Sequence, residues 1–135
     1  MATKVLDSWA LIAFFEDESA AEQVERILAE AVADRHKLLL GVVNWGEIYY
    51  NTMREVSQAA AEQQARDIAA LPIEIAGVSD DLALARQAAI FKATRKMSYA
   101  DCFAAALAKT RNAELLTGDP EFRQVEREVK IGWLK

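Results

Sequence analysis

The sequence predicts an α/β protein of three layers, an α/β/α arrangement with helices on both faces of a mostly parallel sheet of four to five strands. Short apolar runs alternate with longer runs of helical periodicity, which is the pattern of strands joined by crossover helices. Residues 38–43 are apolar without alternation, as expected of a strand that is covered on both faces. The 135 residues contain no repeat or low-complexity tract, so we place a single domain at 1–135.

The first predicted elements each have a local cause. A short apolar strand stops on Asp7, and a helix-favouring run begins directly after it. Ser19 and Glu22 are spaced as a capping box for the second helix, whose apolar residues recur at helical spacing. After the second strand come another helix and an alanine-rich helix that Pro72 ends.

The later elements follow the same logic. Ser79 or Asp80 is the predicted cap of a long helix, and residues 99–110 are apolar almost all round, so that helix should be buried. The strand before Gly118 ends at a turn sequence. The predicted strands are therefore 4–7, 38–43, 73–76, 114–117 and 130–133, and the predicted helices are 8–15, 19–33, 44–50, 57–71, 80–95 and 99–110.

Composition narrows the range of functions. No apolar run approaches the ~18 residues that span a bilayer, and the amino terminus lacks a signal-peptide pattern, so we expect a cytoplasmic protein. The single cysteine, Cys102, should be a buried apolar side chain, and the single histidine, His36, should be solvated in a loop. These two residues cannot form a zinc site. The net charge of −5 argues against an extended basic surface for nucleic acid, but not against an enzyme that meets phosphates through metal ions.

Four acidic residues should meet at the carboxyl edge of the predicted sheet. Asp7 ends the first strand, and Glu47 lies one helical turn past the second. Asp119 follows the fourth strand, and Asp101 lies in the first turn of the buried helix. Right-handed crossovers bring the carboxyl ends of parallel strands to one edge, which is where ligands bind in open sheets of this kind.

Each acid also has a purely structural explanation. Asp7 would favour the positive end of its helix, and Asp119 suits an N-cap before proline. Asp101 completes a capping box with the serine three residues earlier, and Glu47 suits the third position after a cap at Asn44. For each acid taken singly, the sequence favours capping and a functional role about equally. Capping alone does not explain why these acids lack a basic partner nearby.

A bound cation would explain the crowding, because carboxylates that lie close together repel unless they take up protons or a cation. Oxygen ligands without histidine or cysteine select Mg²⁺ or Mn²⁺ over zinc or copper. One such ion, or two about 3.5–4 Å apart, would suit phosphate chemistry.

The same segments resemble a known family, the PIN-domain ribonucleases. The similarity lies in Val5–Ser8, Glu47, Ser98–Ala106 and Leu116–Phe122, and it extends over essentially the whole chain. The strand that ends in Asp-Ser and the Thr-Gly-Asp-x-x-Phe segment are its most specific parts. The order of the motifs and the chain length are most similar to the VapC-type toxins of prokaryotic toxin–antitoxin pairs.

The resemblance implies Mg²⁺- or Mn²⁺-dependent cleavage of single-stranded or loop RNA, a homodimer, and inhibition by a cognate antitoxin. It implies that four acids are both catalytic and metal-binding: Asp7, Glu47, Asp101 and Asp119. On this view Asp7 and Asp101 hold the principal ion, and Asp119 completes the site through a water or a second ion. Glu47 holds the ion or orients the attacking water.

Three further residues would support this quartet. The Thr117 hydroxyl would support it directly, and Ser8 would assist through its hydroxyl or main chain. Glu121 is either an outer ligand or an acid that favours its helix start. Asn44 is a departure, because many relatives have serine or threonine there, and we expect it to affect capping or substrate contact more than the metal.

Two other groups have two explanations each. One group is aromatic and either belongs to the ordinary core or forms a surface that binds RNA bases or an antitoxin. Its members are Trp9, Trp45, Tyr49 and Tyr50, with Phe14 nearby. The basic residues Lys92, Arg95 and Lys96, together with Arg86, bind RNA phosphates or form a solvated helix face.

Two rival functions remain open. One is a catalytically inactive interaction module with the same fold. The other is a phosphotransfer domain with a nucleophilic Asp7, which we rank low because position 9 is Trp9 and no lysine is placed near it.

Overall fold

The computed structural model describes residues 2–135, whose strands form a five-stranded parallel sheet. The strands are β1 (Ala2–Leu6), β2 (His36–Gly41), β3 (Glu74–Ala76), β4 (Glu114–Thr117) and β5 (Ile131–Trp133). The helices are α1 (Ser8–Phe15), α2 (Ala21–Val32), α3 (Val42–Glu55), α4 (Gln58–Ala69), α5 (Ala83–Thr94) and α6 (Tyr99–Thr110), and a 3₁₀ helix covers Pro120–Val125. The predicted three-layer α/β/α fold is confirmed.

The strand order β3-β2-β1-β4-β5 puts β1 in the centre of the sheet. Leu6, the last residue of β1, pairs with Leu40 of β2 on one side and with Leu116 of β4 on the other. The chain order therefore reverses at β1, and in open sheets of this type ligands bind at the carboxyl end of that position. Asp7 is the next residue.

The two faces of the sheet carry separate cores. Val5 and Leu39 point to the face covered by α5 and α6, where they pack with Phe91 and Cys102. Leu6 lies on the opposite face, as do Leu38 and Leu40, and packs against side chains of the first four helices. Because both faces are covered, residues 38–40 are all apolar. Within residues 2–135, no helix combines the length and the apolar character that crossing a membrane requires.

Two predicted helix starts near the amino-terminal half are wrong. The second strand ends at Gly41, so Val42 begins α3, two residues earlier than predicted. An apolar run cannot distinguish the end of a buried strand from the first turn of a helix. Helix α2 begins at Ala21, and its N-cap is Ala20, which has no side-chain acceptor, so the capping box predicted at Ser19 does not form.

The predictions for α5 and for the histidine are also wrong. Helix α5 begins at Ala83, after Leu82 in a left-handed conformation (φ 66°), and the Asp81 carboxylate accepts the Ala83 N–H at 3.0 Å. His36 is only 4% exposed, since it is the first residue of β2, and its Nε2 lies 3.0 Å from the Ile27 carbonyl oxygen. Cys102 is buried, as predicted.

Candidate functional site

Asp7 lies at the carboxyl end of β1 and is 1% exposed. Its Oδ1 accepts the N–H of Ala10 at 2.9 Å, so this carboxylate does cap α1. Its Oδ2 accepts the hydroxyl of Thr117 at 2.6 Å, from the end of the neighbouring strand β4. Both oxygens are thus oriented by neutral donors, and no salt bridge within residues 2–135 involves this carboxylate.

The Thr117 hydroxyl also connects Asp7 to the next acid. While it donates to Asp7, the same oxygen accepts the N–H of Asp119 at 3.0 Å. The Asp119 carboxylate in turn accepts the N–H of Glu121 at 2.9 Å, which caps the 3₁₀ helix. One fully buried hydroxyl therefore sets the positions of two acidic segments.

Asp101 reaches the same edge from α6. Ser98 caps this helix and accepts the Asp101 N–H at 3.1 Å. One carboxylate oxygen from each of Asp101, Asp119 and Glu121 lies within 4.8 Å of the other two. We call these three residues the acidic cluster. None of them forms a salt bridge within the described residues.

The structure places the four predicted acids unequally. Asp101 and Asp119 each have a carboxylate oxygen within 4.8 Å of the other. The third acid within this distance is Glu121, which was predicted only to support the four acids. Asp7 and Glu47 lie beside the acidic cluster, close enough for the charge of Glu47 to act on Asp101. The proposed division of roles among the quartet stays a prediction.

Burial and repulsion raise the pKa of two of these acids. The pKa of Asp7 rises from 3.8 to about 7, first through burial and then through repulsion by Asp101 and Asp119, although the bonds from Thr117 and Ala10 oppose the rise. The pKa of Asp101 also rises to about 7, through burial and then through repulsion, chiefly by Glu47 and Asp119. A divalent cation would relieve this repulsion and displace the protons.

Comparison with known proteins agrees with the observed fold. The PIN domain model matches residues 4–128. The chain belongs to the PIN domain family. None of the curated proteins matches it in sequence.

Many solved structures share the fold of this PIN domain, including proteins from Rickettsia felis, Haemophilus influenzae and Mycobacterium tuberculosis. VapBC2 from Rickettsia felis, bound to a DNA fragment from its promoter, has a TM-score of 0.75 at 13% identity, over 98% of this chain and 99% of that chain. VapBC-1 from nontypeable Haemophilus influenzae has a TM-score of 0.70 at 15% identity, over 97% of each chain. VapC20 from Mycobacterium tuberculosis, a Sarcin-Ricin loop cleaving toxin, has a TM-score of 0.70 at 16% identity, over 90% of this chain and 94% of that chain.

A glutamine that sequence analysis missed joins two parts of the site in this PIN domain. The Gln124 side chain accepts the Lys96 N–H at 2.9 Å and donates to the Lys96 carbonyl at 3.2 Å. Its amide also donates to the Glu121 carbonyl at 3.2 Å. Gln124 therefore connects two segments by hydrogen bonds. One is the loop before Ser98, the N-cap of α6, and the other is the 3₁₀ helix that carries Glu121. No local pattern marks this residue, because its partner is 28 positions away.

Replacing Gln124 with alanine should weaken divalent metal binding about 10-fold, in line with the cost of losing a residue that orients metal ligands. The reason is that Asp101 and Glu121 would no longer be held at a fixed separation. Calorimetric titration with Mn²⁺ measures the change. Gln64→Ala is the matched control, since Gln64 also joins two elements, accepting the Thr52 hydroxyl between α3 and α4. Equal Mn²⁺ affinity in the two variants would show that Gln124 does not hold Asp101 and Glu121 in position for the ion.

Trp9 packs against the main chain of the PIN domain beside the acidic cluster. A Cβ at position 118 would lie closer than 3.0 Å to three ring carbons of Trp9. Gly118 has no positive φ, so space rather than backbone conformation requires glycine here. Because Gly118 separates Thr117 from Asp119, the indole contacts the segment that positions both residues.

Gly118→Ala should destabilise the fold by about 1–3 kcal/mol, the usual cost of overpacking, and should shift the tryptophan emission spectrum as Trp9 moves. Urea denaturation followed by fluorescence measures both effects. Gly77→Ala is the control, because a Cβ there meets nothing within 4 Å, and its stability should stay within about 0.5 kcal/mol of the wild type. A Gly118→Ala protein as stable as this control would show that the indole has room to move.

The remaining predicted residues have mixed surroundings. Lys92 donates to the Met97 carbonyl at 2.9 Å, and Arg95 pairs with Glu128, so both cations already have partners. Trp45 stacks on Tyr49 with 5.5 Å between ring centroids and packs on the core, as Trp9 does. Tyr50 is 45% exposed. The Ser8 hydroxyl donates to the Asn44 carbonyl at 3.3 Å rather than to one of the four acids.

Proposed function

We propose that this PIN domain is a Mg²⁺- or Mn²⁺-dependent endoribonuclease and the toxin of a toxin–antitoxin pair. The observation that carries the proposal is the acidic cluster, which lies with Asp7 and Glu47 at the carboxyl edge of the sheet and has no ion-paired cation within residues 2–135. A nucleolytic role is supported by VapC20, a toxin of this fold that cleaves the Sarcin-Ricin loop.

The residues present fit a hard divalent cation. All the available donors are carboxylate or hydroxyl oxygens, and such donors favour Mg²⁺ or Mn²⁺. Burial first, and then repulsion by neighbouring acids, raises the pKa of Asp7 and of Asp101 to about 7, and a bound cation would offset the repulsion. Asp7 and Asp101 would hold the principal ion, and Asp119 would complete the site through a water or a second ion, with Glu121 and Glu47 as further direct or outer ligands. A bound ion would polarise the phosphoryl oxygen and lower the pKa of an attacking water.

The residues of the chain then have separate tasks in hydrolysis. Thr117 holds Asp7 and Asp119 in place through its two hydrogen bonds. Glu47, in the second turn of α3, would orient the attacking water or hold the ion. Ser8 would assist by holding the start of α1 in place through its bond to Asn44.

Substrate and partners follow from the same proposal. The substrate would be single-stranded or loop RNA, with phosphates near Lys92, Arg95 and Lys96, although Lys92 and Arg95 would first have to exchange their present partners. A cognate antitoxin would inhibit the protein. We propose that residues 1–135 form one domain and that two copies of it form a homodimer. The homodimer would be cytoplasmic and would not contact a membrane. VapBC complexes among the structures of this fold support the antitoxin.

A second candidate is a PIN-like interaction module without catalysis. The observation in its favour is a set of exposed apolar side chains on and after α3: Tyr50, Met53 and Val56. It does not account for the unpaired acids at the sheet edge, which a protein-binding surface does not need.

Induced expression distinguishes the two candidates. The toxin should arrest growth and produce new RNA 5′ ends at defined sites, whereas the interaction module should leave growth and RNA ends unchanged. Asp101→Asn should remove both effects, and Asp80→Asn, in the exposed loop before α5, should leave them intact. Normal growth and unaltered RNA ends with the wild-type chain would contradict the toxin proposal.

A further inference from the structure

Asn44 is a fully buried amide at the junction of three helices. It lies in the first turn of α3, one turn before Glu47, and none of its surface is exposed. Its Nδ2 donates to the Ser8 hydroxyl at 3.3 Å and to the Ala100 carbonyl at 3.2 Å. Ser8 follows Asp7 at the start of α1, and Ala100 precedes Asp101 in α6. One amide therefore touches the neighbours of two acids and shares a helix with a third.

The orientation of this amide is set by its partners. Rotating it by half a turn would place Oδ1 against the Ala100 carbonyl oxygen, two acceptors facing each other. The second contact to Ser8 is reciprocal, because the Ser8 hydroxyl donates to the Asn44 carbonyl at 3.3 Å. Side chain and main chain of Asn44 thus bind the same residue, and the start of α1 is tied to α3 at two points.

The Asn44 amide is not explained by stability alone. Its Oδ1 is buried and has no hydrogen-bond partner within residues 2–135, and an unpaired buried acceptor opposes folding. A Cβ on Gly41 would lie 3.1 Å from this oxygen, so the glycine leaves room for it. An apolar residue of similar shape would avoid the unpaired oxygen, but it could not bond to Ser8 and Ala100.

We propose that Asn44 is a positioning residue, which fixes Asp7, Glu47 and Asp101 relative to one another by bonding to Ser8 and Ala100. The inference rests on the proposed function, because the property it controls is affinity for the divalent ion. Asn44 itself does not touch the ion. It acts through the main chain next to Asp7 and Asp101, as residues behind metal ligands commonly do.

Titration of the metal-free protein with Mn²⁺, in the absence of RNA, tests the proposal. Asn44→Leu keeps the approximate shape, removes both donated bonds and removes the unpaired oxygen. We expect its Kd for Mn²⁺ to rise about 10-fold, while its Tm in EDTA changes little. Asn44→Thr, which retains one short donor, should be intermediate, and it decides the question if the leucine variant does not fold.

Ile48→Val is the matched control. Ile48 is buried in the same helix, so its loss of a methyl group lowers the Tm without touching Ser8 or Ala100. Its Kd should match that of the wild type. Wild-type affinity in both Asn44 variants would overturn the inference and leave the proposed function standing, and so would equal weakening in Ile48→Val. No Mn²⁺ binding by the wild type would overturn the proposed function and the inference with it.

Discussion

Asp7→Asn should abolish metal-dependent RNA cleavage, lowering the cleavage rate by more than about 100-fold. Mutating a residue that only orients metal ligands lowers metal affinity or activity by about 10–100-fold, and we expect a larger loss here. The substitution removes one negative charge from the edge where the ion would bind. Cleavage of a labelled RNA at saturating Mg²⁺ measures the loss. Asp80→Asn, a change of an exposed acid to its amide, is the control and should retain wild-type activity.

The Asp7→Asn protein should keep its fold. Asparagine is as good an N-cap as aspartate, so it can still accept the Ala10 N–H. Its amide can donate to the Thr117 oxygen where the carboxylate accepted from it. Circular dichroism and the Tm therefore separate a lost charge from lost structure. Undiminished cleavage by this variant would contradict the role given to Asp7.

The stability of the metal-free protein should depend strongly on pH. Without metal, the protein should become less stable as the pH rises from about 4 to about 7, and its stability should then level off. Asp7 and Asp101 have a pKa of about 7 in the folded state against 3.8 as free side chains, so the folded state binds their protons more tightly. Their contribution is complete below the unfolded pKa and is lost as the pH passes the folded one.

Urea denaturation in EDTA at a series of pH values measures this dependence. Asp7→Asn removes one of the two groups, so above pH 7 it should be more stable than the metal-free wild type by up to about 4 kcal/mol. Added Mg²⁺ should reverse the order by stabilising only the wild type. A wild type whose metal-free stability rises steadily between these pH values would show that the buried carboxylates are not protonated in the folded state.

The fold was predictable because its signals are local. Alternating strands and helices indicate the class, and the run around Leu39 indicates a strand covered on both faces. The caps at Ser98 and Asp119 were predicted from single positions and their neighbours, and the structure has them. The early start of α3 was not predictable, since Val42 is as compatible with a buried strand as with a first helical turn.

The site was predictable only in part, because its geometry depends on distances between remote segments. Asp7 and Asp119 follow from the rule that carboxyl ends of parallel strands share an edge, whereas Asp101 reaches that edge from the first turn of α6. That Glu121 rather than Glu47 joins Asp101 and Asp119 depends on the path of the 3₁₀ helix. The roles of Gln124 and Asn44 depend on partners 28 and 56 positions away, which no local spacing reveals.

We propose that this sheet edge cleaves RNA only with a divalent ion bound. The most direct measurement is cleavage of a labelled single-stranded RNA by the purified wild type as Mg²⁺ or Mn²⁺ is titrated into EDTA-treated protein, beside Asp101→Asn. We expect no cleavage in EDTA, saturable cleavage as the ion is added, and none from the variant at any ion concentration. If cleavage persists in EDTA, or if Asp101→Asn cleaves as well as the wild type, then the acids at this edge do not cleave RNA through a divalent ion.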